Sequence, residues 1–316
     1  MTDFFAPLIG QQQAVELLKQ AVAKNRIANA YLFAGADGVG RSLAARCFVE
    51  LLFSHSINNI SSDSTTKRLQ QGNHPDVLWV QPTYQHQGQR YTPQEAAEKK
   101  IKRKAPPVIR LEQIREITTF LSRPPMLAPR SAVVIEQAET MAESAANALL
   151  KTLEEPGKAT LILMAPNLDA ILPTIVSRCQ RIPFHRLDKA GMTEVLTLTG
   201  HQEILQHQAI INIAAGSPGE AIESYQQMQA INSDLLKSVT KAPANLRHCL
   251  ELAKQIDKEL ETEAQLWLVD YLQQMYWQQR HQPNIIKLLE QTRKNLLCYA
   301  QPRLVWECTF LKMLGS

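Results

Sequence analysis

The chain has 316 residues, of which 45% are apolar and 20% charged, with a formal net charge of +4 at pH 7. That length carries two or three domains with a sizeable core. The mildly basic balance permits nucleic-acid contact without requiring it.

Between Gln11 and Ile27, the residues Val15, Leu18 and Val22 share one helical face. AYLFA (30–34) is a short apolar strand that runs into GADGVGRS at 35–42. This stretch follows the phosphate-loop pattern G-x-x-x-x-G-K-[ST] at every position but one. Gly35, Gly40 and Ser42 are in place, Gly38 lies between them, and Arg41 stands where the lysine belongs. Leu43, Cys47, Leu51 and Leu52 then recur at helical spacing, giving the strand, loop and helix that a phosphate site needs. A tight turn before an ordinary helix is the plainer reading of the same glycines. In an intact loop, backbone N–H groups wrap the phosphates, the lysine reaches the β and γ oxygens, and the hydroxyl holds Mg²⁺. Arginine is a longer planar fork and alters the geometry at the γ-phosphate.

Residues 54–76 are polar and turn-rich, a surface excursion, and DVLWVQP (76–82) returns as a strand. A second polar insertion, 84–107, ends with Lys99, Lys100, Lys102, Arg103 and Lys104. It reads as a solvated charged loop in preference to a DNA contact. Leu111, Ile114, Ile117, Phe120 and Leu121 predict a helix that Pro124 and Pro125 end. SAVVIEQAE (131–139) is a further strand, expected to lie beside the phosphate loop. Its end is where an ATPase carries Asp-Glu, one for Mg²⁺ and one for the attacking water. Those two positions here are Glu136 and Gln137, and Gln137 cannot take a proton from water.

ESAANALLKTLEEP reads as the next helix and TLILMA (160–165) as the next strand. Strands alternating with helices imply a parallel sheet covered on both faces. Beyond Phe184 only helical periodicity remains, so the α/β part ends near residue 185, and AAGSPGEA (214–221) breaks one helix from the next. From Ser233 onward leucines recur in helical register among Trp267, Tyr271, Tyr276, Trp277, Trp306 and Phe310, aromatic residues that read as core or subunit interface. The five cysteines, an odd number without C-x-x-C spacing, fit reduced thiols better than disulfides. No apolar run approaches a membrane span and MTDFFAPLIG has no signal-peptide pattern, so a cytoplasmic protein is expected.

Taken together, these stretches resemble the bacterial DNA polymerase III clamp-loader family of AAA+ proteins. The likeness is carried by LIGQQQAVELLKQAV (8–22), GNHPDV (72–77), AETMAESAANALLKTLEEP (138–156), TIVSRC (174–179), AAGSPGEA and the terminal QPRLVWECTFLKM (301–313). NALLKTLEEP and the triplet Ser177-Arg178-Cys179 are the most specific of these. The resemblance implies an α/β plus all-α fold: a RecA-like P-loop parallel-sheet domain at 1–184, a small helical lid at 185–228, and a C-terminal helical collar for oligomerisation at 229–316.

Motor subunits of the family keep the loop lysine, the Asp-Glu pair and a lid arginine at the position of Gly219. All three are missing here, which resembles a non-motor stator that helps place a sliding clamp on primer-template DNA. By the same resemblance Arg178, flanked by Ser177 and Cys179, acts as an arginine finger on ATP held by a neighbouring subunit. An ion pair within its own domain is the plainer role for Arg178, and Arg181 competes from outside the triplet.

The family's four-cysteine zinc module is absent apart from Cys47, so no metal is expected. No cofactor is required; ATP with Mg²⁺ is what the degenerate site of Gly35, Gly38, Gly40, Arg41, Ser42 and Glu136 would hold. The implied partners are motor ATPase subunits and the clamp-opening delta subunit, with the sliding clamp and primer-template DNA reached through the complex, and no membrane. Two rivals stand beside this reading. One is a slow motor-type ATPase that uses Arg41 and Glu136 itself, and the other a standalone nucleic-acid-binding protein that uses the 99–104 cluster.

Overall fold

Short runs of apolar residues without polar alternation form strands buried on both faces, and the first part of the computed structural model is built on three of them. The structure describes residues 3–54, 68–69, 71–99, 101, 106–241, 243–280, 283–298 and 300–314. The chain divides into two units, Met1–Arg186 and Leu187–Ser316.

In the first unit α1 (Gln12–Ala23) leads to β1 (Ala30–Ala34) and α2 (Arg41–Ser54), followed by β2 (Val77–Val80). A hairpin of β3 (Tyr84–His86) and β4 (Gln89–Tyr91) and the short α3 (Pro93–Glu98) come next. Then follow α4 (Leu111–Leu121), β5 (Ser131–Ile135), α5 (Glu143–Glu154), β6 (Ala159–Ala165), α6 (Pro173–Val176) and β7 (Gln180–Pro183). Five strands pair in the order β2-β5-β6-β1-β7, all parallel.

Successive side chains on the central strands enter opposite layers. Tyr31, Phe33, Val134, Ile162 and Met164 join a core with α1 and α2. Leu32, Val133, Ile135, Leu161 and Leu163 join another with α4 and α5. The sheet is therefore covered on both faces, as alternating strands and helices imply.

Two expectations are corrected. The strand expected over 131–139 stops at Ile135, because Gln137 takes a left-handed φ of 47° and a short 3-10 turn follows at Ala138–Thr140. Within the sheet, β6 pairs between this strand and β1. The insertion at 84–107 is not simply a loop: Gln87 and Gly88 both have positive φ, the pattern of a two-residue hairpin turn, and Thr92 caps α3 in a reciprocal box with Glu95. On α2 the buried face falls on Ala44, Ala45, Phe48, Val49, Leu52 and Phe53, together with Cys47, while Leu43 is exposed. Of the basic cluster, Lys99 lies 4.6 Å from the centre of the Tyr91 ring, and Lys100, Lys102, Arg103 and Lys104 fall outside the described residues, as does 55–67 of the first polar excursion.

The second unit is helical throughout its described residues, with α7 (Lys189–Leu198), α8 (Gln208–Ala214), α9 (Pro218–Ala230), α10 (Ser233–Val239), α11 (Leu246–Glu259), α12 (Thr262–Arg280), α13 (Pro283–Leu297) and α14 (Pro302–Leu314). In AAGSPGEA, Ala215 takes a left-handed φ of 46°. Ser217 then caps α9 by accepting from the Glu220 N–H at 3.3 Å, with Pro218 opening the helix and Gly219 in its first turn. Residues between Ile231 and Met313 close around one apolar cluster that includes Leu252, Leu268, Leu289, Trp306 and Phe310. Trp306 is fully buried, and its Nε1 donates to Gln265 Oε1 at 2.9 Å.

Candidate functional site

Parallel strands all end at the same edge of a sheet, so the turns that follow them converge there. The phosphate loop leaves β1 at that edge. Gly35 has no room for a side chain: a Cβ would sit 2.5 Å from the Phe184 carbonyl oxygen on the neighbouring strand's exit. Gly40 needs its glycine for another reason, a φ of +104°. Gln11, 2% exposed, ties the loop down, with Nε2 donating to the Val39 carbonyl at 3.2 Å and to the His185 carbonyl at 2.6 Å. Its Oε1 accepts from the His185 N–H at 3.0 Å.

Gly38, Gly40, Arg41, Ser42, Glu136 and Gln137 all line one pocket of about 240 Å³. The structure thus brings the loop and the residues that follow β5 together, as expected, although β6 pairs between β5 and β1. Within the pocket the chemistry differs from that of a triphosphate site. Arg41, 7% exposed, forms an ion pair with Asp37 of the same loop, and its Nη1 is buried without a protein partner. Ser42 Oγ contacts Met164 Sδ at 3.6 Å. Glu139, which sequence reasoning did not single out, is half-buried nearby. Burial raises its carboxyl above the usual range, the Asp37 charge adds to the shift, and Arg41 opposes it.

The Ser177-Arg178-Cys179 triplet does not line that pocket. It closes the short α6 and leads into β7. Cys179 packs against the α4 and α5 layer, and burial pushes its thiol up to about 12. Ser177 Oγ donates to the Thr174 carbonyl at 3.0 Å, and so does Arg178 Nη1 at 2.9 Å. Arg178 Nε and Nη2 donate to Glu154 Oε1 at 3.0 and 2.7 Å. Glu154 is the last residue of α5 and belongs to NALLKTLEEP, so the two most specific stretches of the sequence meet in one ion pair. Arg181 lies in β7, opposite Leu32 of β1.

GNHPDV also has a defined task. The Asp76 carboxylate, 2% exposed, accepts from the backbone N–H groups of Met126, Leu127 and Ala128 at 2.6, 2.7 and 2.7 Å. It shapes the loop that feeds β5. His74 Nδ1 accepts from the Asp76 N–H at 3.2 Å.

Comparison with known proteins places the chain in a family. Residues 10–188 match the family model described as DNA polymerase III, delta subunit. Residues 190–313 match the model described as Cyanobacterial DNA polymerase III delta prime, C-terminal domain. The chain is 29% identical over 217 residues to DNA polymerase III subunit delta' of Bacillus subtilis (strain 168), covering 67% of this chain and 58% of that protein. It is 35% identical over 172 residues to subunit delta' of Pseudomonas aeruginosa, covering 53% of this chain and 46% of that one. The chain therefore spans about half the length of these two relatives. Among solved structures, a DNA polymerase III gamma subunit-related protein from Thermotoga maritima superposes with a TM-score of 0.54 at 18% identity, covering 96% of this chain and 99% of the other. That likeness is one of fold.

Proposed function

We propose, on the premise that the chain belongs to the DNA polymerase III delta subunit family and carries a delta-prime type C-terminal region, that it is a non-motor, stator-like subunit of a clamp loader. In this role it helps an assembly of motor ATPase subunits and a clamp-opening delta subunit to place a sliding clamp on primer-template DNA. The observation that carries the non-motor assignment is the Arg41–Asp37 ion pair. The cation at the lysine position is engaged by the loop's own acid, and Gln137 stands where a water-activating carboxylate belongs. The loop thus serves as scaffold, and no cofactor is needed in it. ATP and Mg²⁺ belong to the neighbouring subunits.

Arg178 is the residue through which this chain acts on that chemistry. A guanidinium presented to a neighbour's γ-phosphoryl group stabilises the charge spread over its oxygens in the transition state. Its exposure of 37% leaves it accessible to such a neighbour. Residues 185–228 act as lid and 229–316 as collar, and the protein works in the cytoplasm. No helix among the described residues is long and apolar enough to cross a membrane. The rival reading, a slow motor, requires Arg41 to leave Asp37 and Gln137 to be bypassed.

The test is coexpression of the tagged chain with motor and delta subunits, followed by purification and ATPase measurement. A stable complex that hydrolyses ATP, with an isolated chain that does not, is the expected result. A chain that purifies alone from such a mixture, or hydrolyses ATP alone, overturns the proposal.

A further inference from the structure

A guanidinium has five N–H donors, one on Nε and two on each terminal nitrogen. In Arg178 the Nε and Nη2 donors grip one carboxylate oxygen of Glu154, and one Nη1 donor goes to the Thr174 carbonyl. Beyond these bonds, one N–H remains on each terminal nitrogen. Two donors on adjacent nitrogens of a planar fork suit two oxygens of one phosphoryl group.

We infer that Glu154 is a positioning residue for Arg178: it holds the Nε edge of the guanidinium so that the terminal edge is presented, already oriented, to the triphosphate of a nucleotide held by an adjacent subunit. The inference rests on the reading of Arg178 as a finger acting in trans. Three observations support it. The pair is part-exposed on both sides, at 37% and 54%, and exposed ion pairs add little to stability, so holding α5 to the β7 approach does not account for it. The backbone under Arg178 is fixed as well, by Cys179 packed against the core and by Ser177 on the Thr174 carbonyl. With backbone and side chain both restrained, the long rotamer entropy of an arginine is lost before the neighbour arrives and does not weaken its effect in the transition state. A carboxylate beside a finger also reduces its field at the phosphate, so orientation, and not charge, is what Glu154 contributes.

The experiment reconstitutes the complex with wild-type chain, Glu154→Ala, Glu154→Gln, Glu154→Asp, Arg178→Ala and the double variant Glu154→Ala/Arg178→Ala. It measures kcat and KM for DNA- and clamp-stimulated ATP hydrolysis, with thermal unfolding of each subunit as control. Glu154→Ala is expected to lower the rate at the affected site by roughly 10- to 100-fold, the scale of a misplaced catalytic group, with KM for ATP little changed. Glu154→Gln keeps the accepting oxygen and should restore most of the rate. Glu154→Asp keeps the charge but withdraws it by one methylene and should not. The double variant should be no slower than Arg178→Ala. If Arg178→Ala runs at the wild-type rate, the finger reading itself falls. If Arg178→Ala is slow while Glu154→Ala and Glu154→Asp run at the wild-type rate, or if the two losses multiply in the double variant, the positioning role is overturned and the finger stands. Should Glu154→Ala fail to fold, the Asp and Gln pair decides by the same criteria.

Discussion

Arg41 and Asp37 lie four residues apart on the phosphate loop and form an ion pair with each other, so the cation at the lysine position is engaged by the loop's own acid. The isolated protein is therefore expected to show ATP turnover at background, and Arg41→Lys alone should not revive it, because Gln137 still cannot orient and deprotonate water. Steady-state phosphate release is the measurement. Turnover near about 1 per second, the lower range of working enzymes, contradicts the assignment.

Asp76 offers a stability test of the same unit. Three backbone donors, from Met126, Leu127 and Ala128, converge on its carboxylate. Asp76→Asn removes the charge and turns one of the accepting atoms into a donor. Bonds to a charged acceptor are worth more than neutral ones, so the loss in unfolding free energy should be about 2–4 kcal/mol. Denaturant titration reads it, and a loss below about 0.5 kcal/mol would mean that the loop is held by something else.

His74 gives the first unit a pH dependence. The ring is 4% exposed and lies 5.0 Å from the Phe53 ring. Burial lowers its pKa below the ordinary value of 6.5, Asp76 opposes the shift and Arg68 adds to it. A histidine depressed in the folded state leaves the unfolded chain binding more protons as pH falls. Above the unfolded pKa it has no effect. Stability is lost as pH drops below about 6.5, and the loss levels off under the folded pKa. His74→Asn keeps an acceptor for the Asp76 N–H and should flatten the slope between pH 7 and 5, at some cost in overall stability. An unchanged slope would assign the pH dependence to other groups.

The collar assignment concerns α11 and α14. Leu246 and Leu250 are exposed, four residues apart on α11 and so on one face, and with Arg303 of α14 they line one shallow groove. Exposed apolar faces of this kind mark interfaces. The double variant Leu246→Glu/Leu250→Glu should fold, since neither side chain is in the core, yet fail to enter the complex on size exclusion. Normal assembly would move the interface elsewhere.

Much of the α/β unit was legible because its central strands are unbroken apolar runs, AYLFA, SAVVI and TLILMA, of the kind that only a sheet covered on both faces needs. β7 was not, since QRIP sits at the sheet edge, where its polar residues face out. The β3–β4 hairpin has strands of three residues and shows itself only through Gln87-Gly88, a turn signal easily lost in a polar stretch. Of the pocket, the loop glycines, Ser42 and Glu136 could be named from local pattern, whereas Arg178 was singled out only through the family resemblance. The engagement of Arg41 by Asp37 depends on rotamers, and that of Arg178 by Glu154 joins residues 24 apart, which no periodicity reports. Glu139 and Gln11 matter through burial, which a polar residue in a sequence does not announce.

The account turns on Arg178, and one measurement tests it most directly: the DNA- and clamp-stimulated ATPase rate of a complex reconstituted with Arg178→Ala, with assembly checked by size exclusion. The complex should assemble as with the wild-type chain while hydrolysis at the neighbouring site falls on the order of a thousandfold, as loss of a finger does in related phosphate-loop systems. Arg178→Lys should restore little of it, since an ammonium lacks the planar fork. A fully assembled complex with wild-type rates would leave Arg178 as the partner of Glu154 and nothing more.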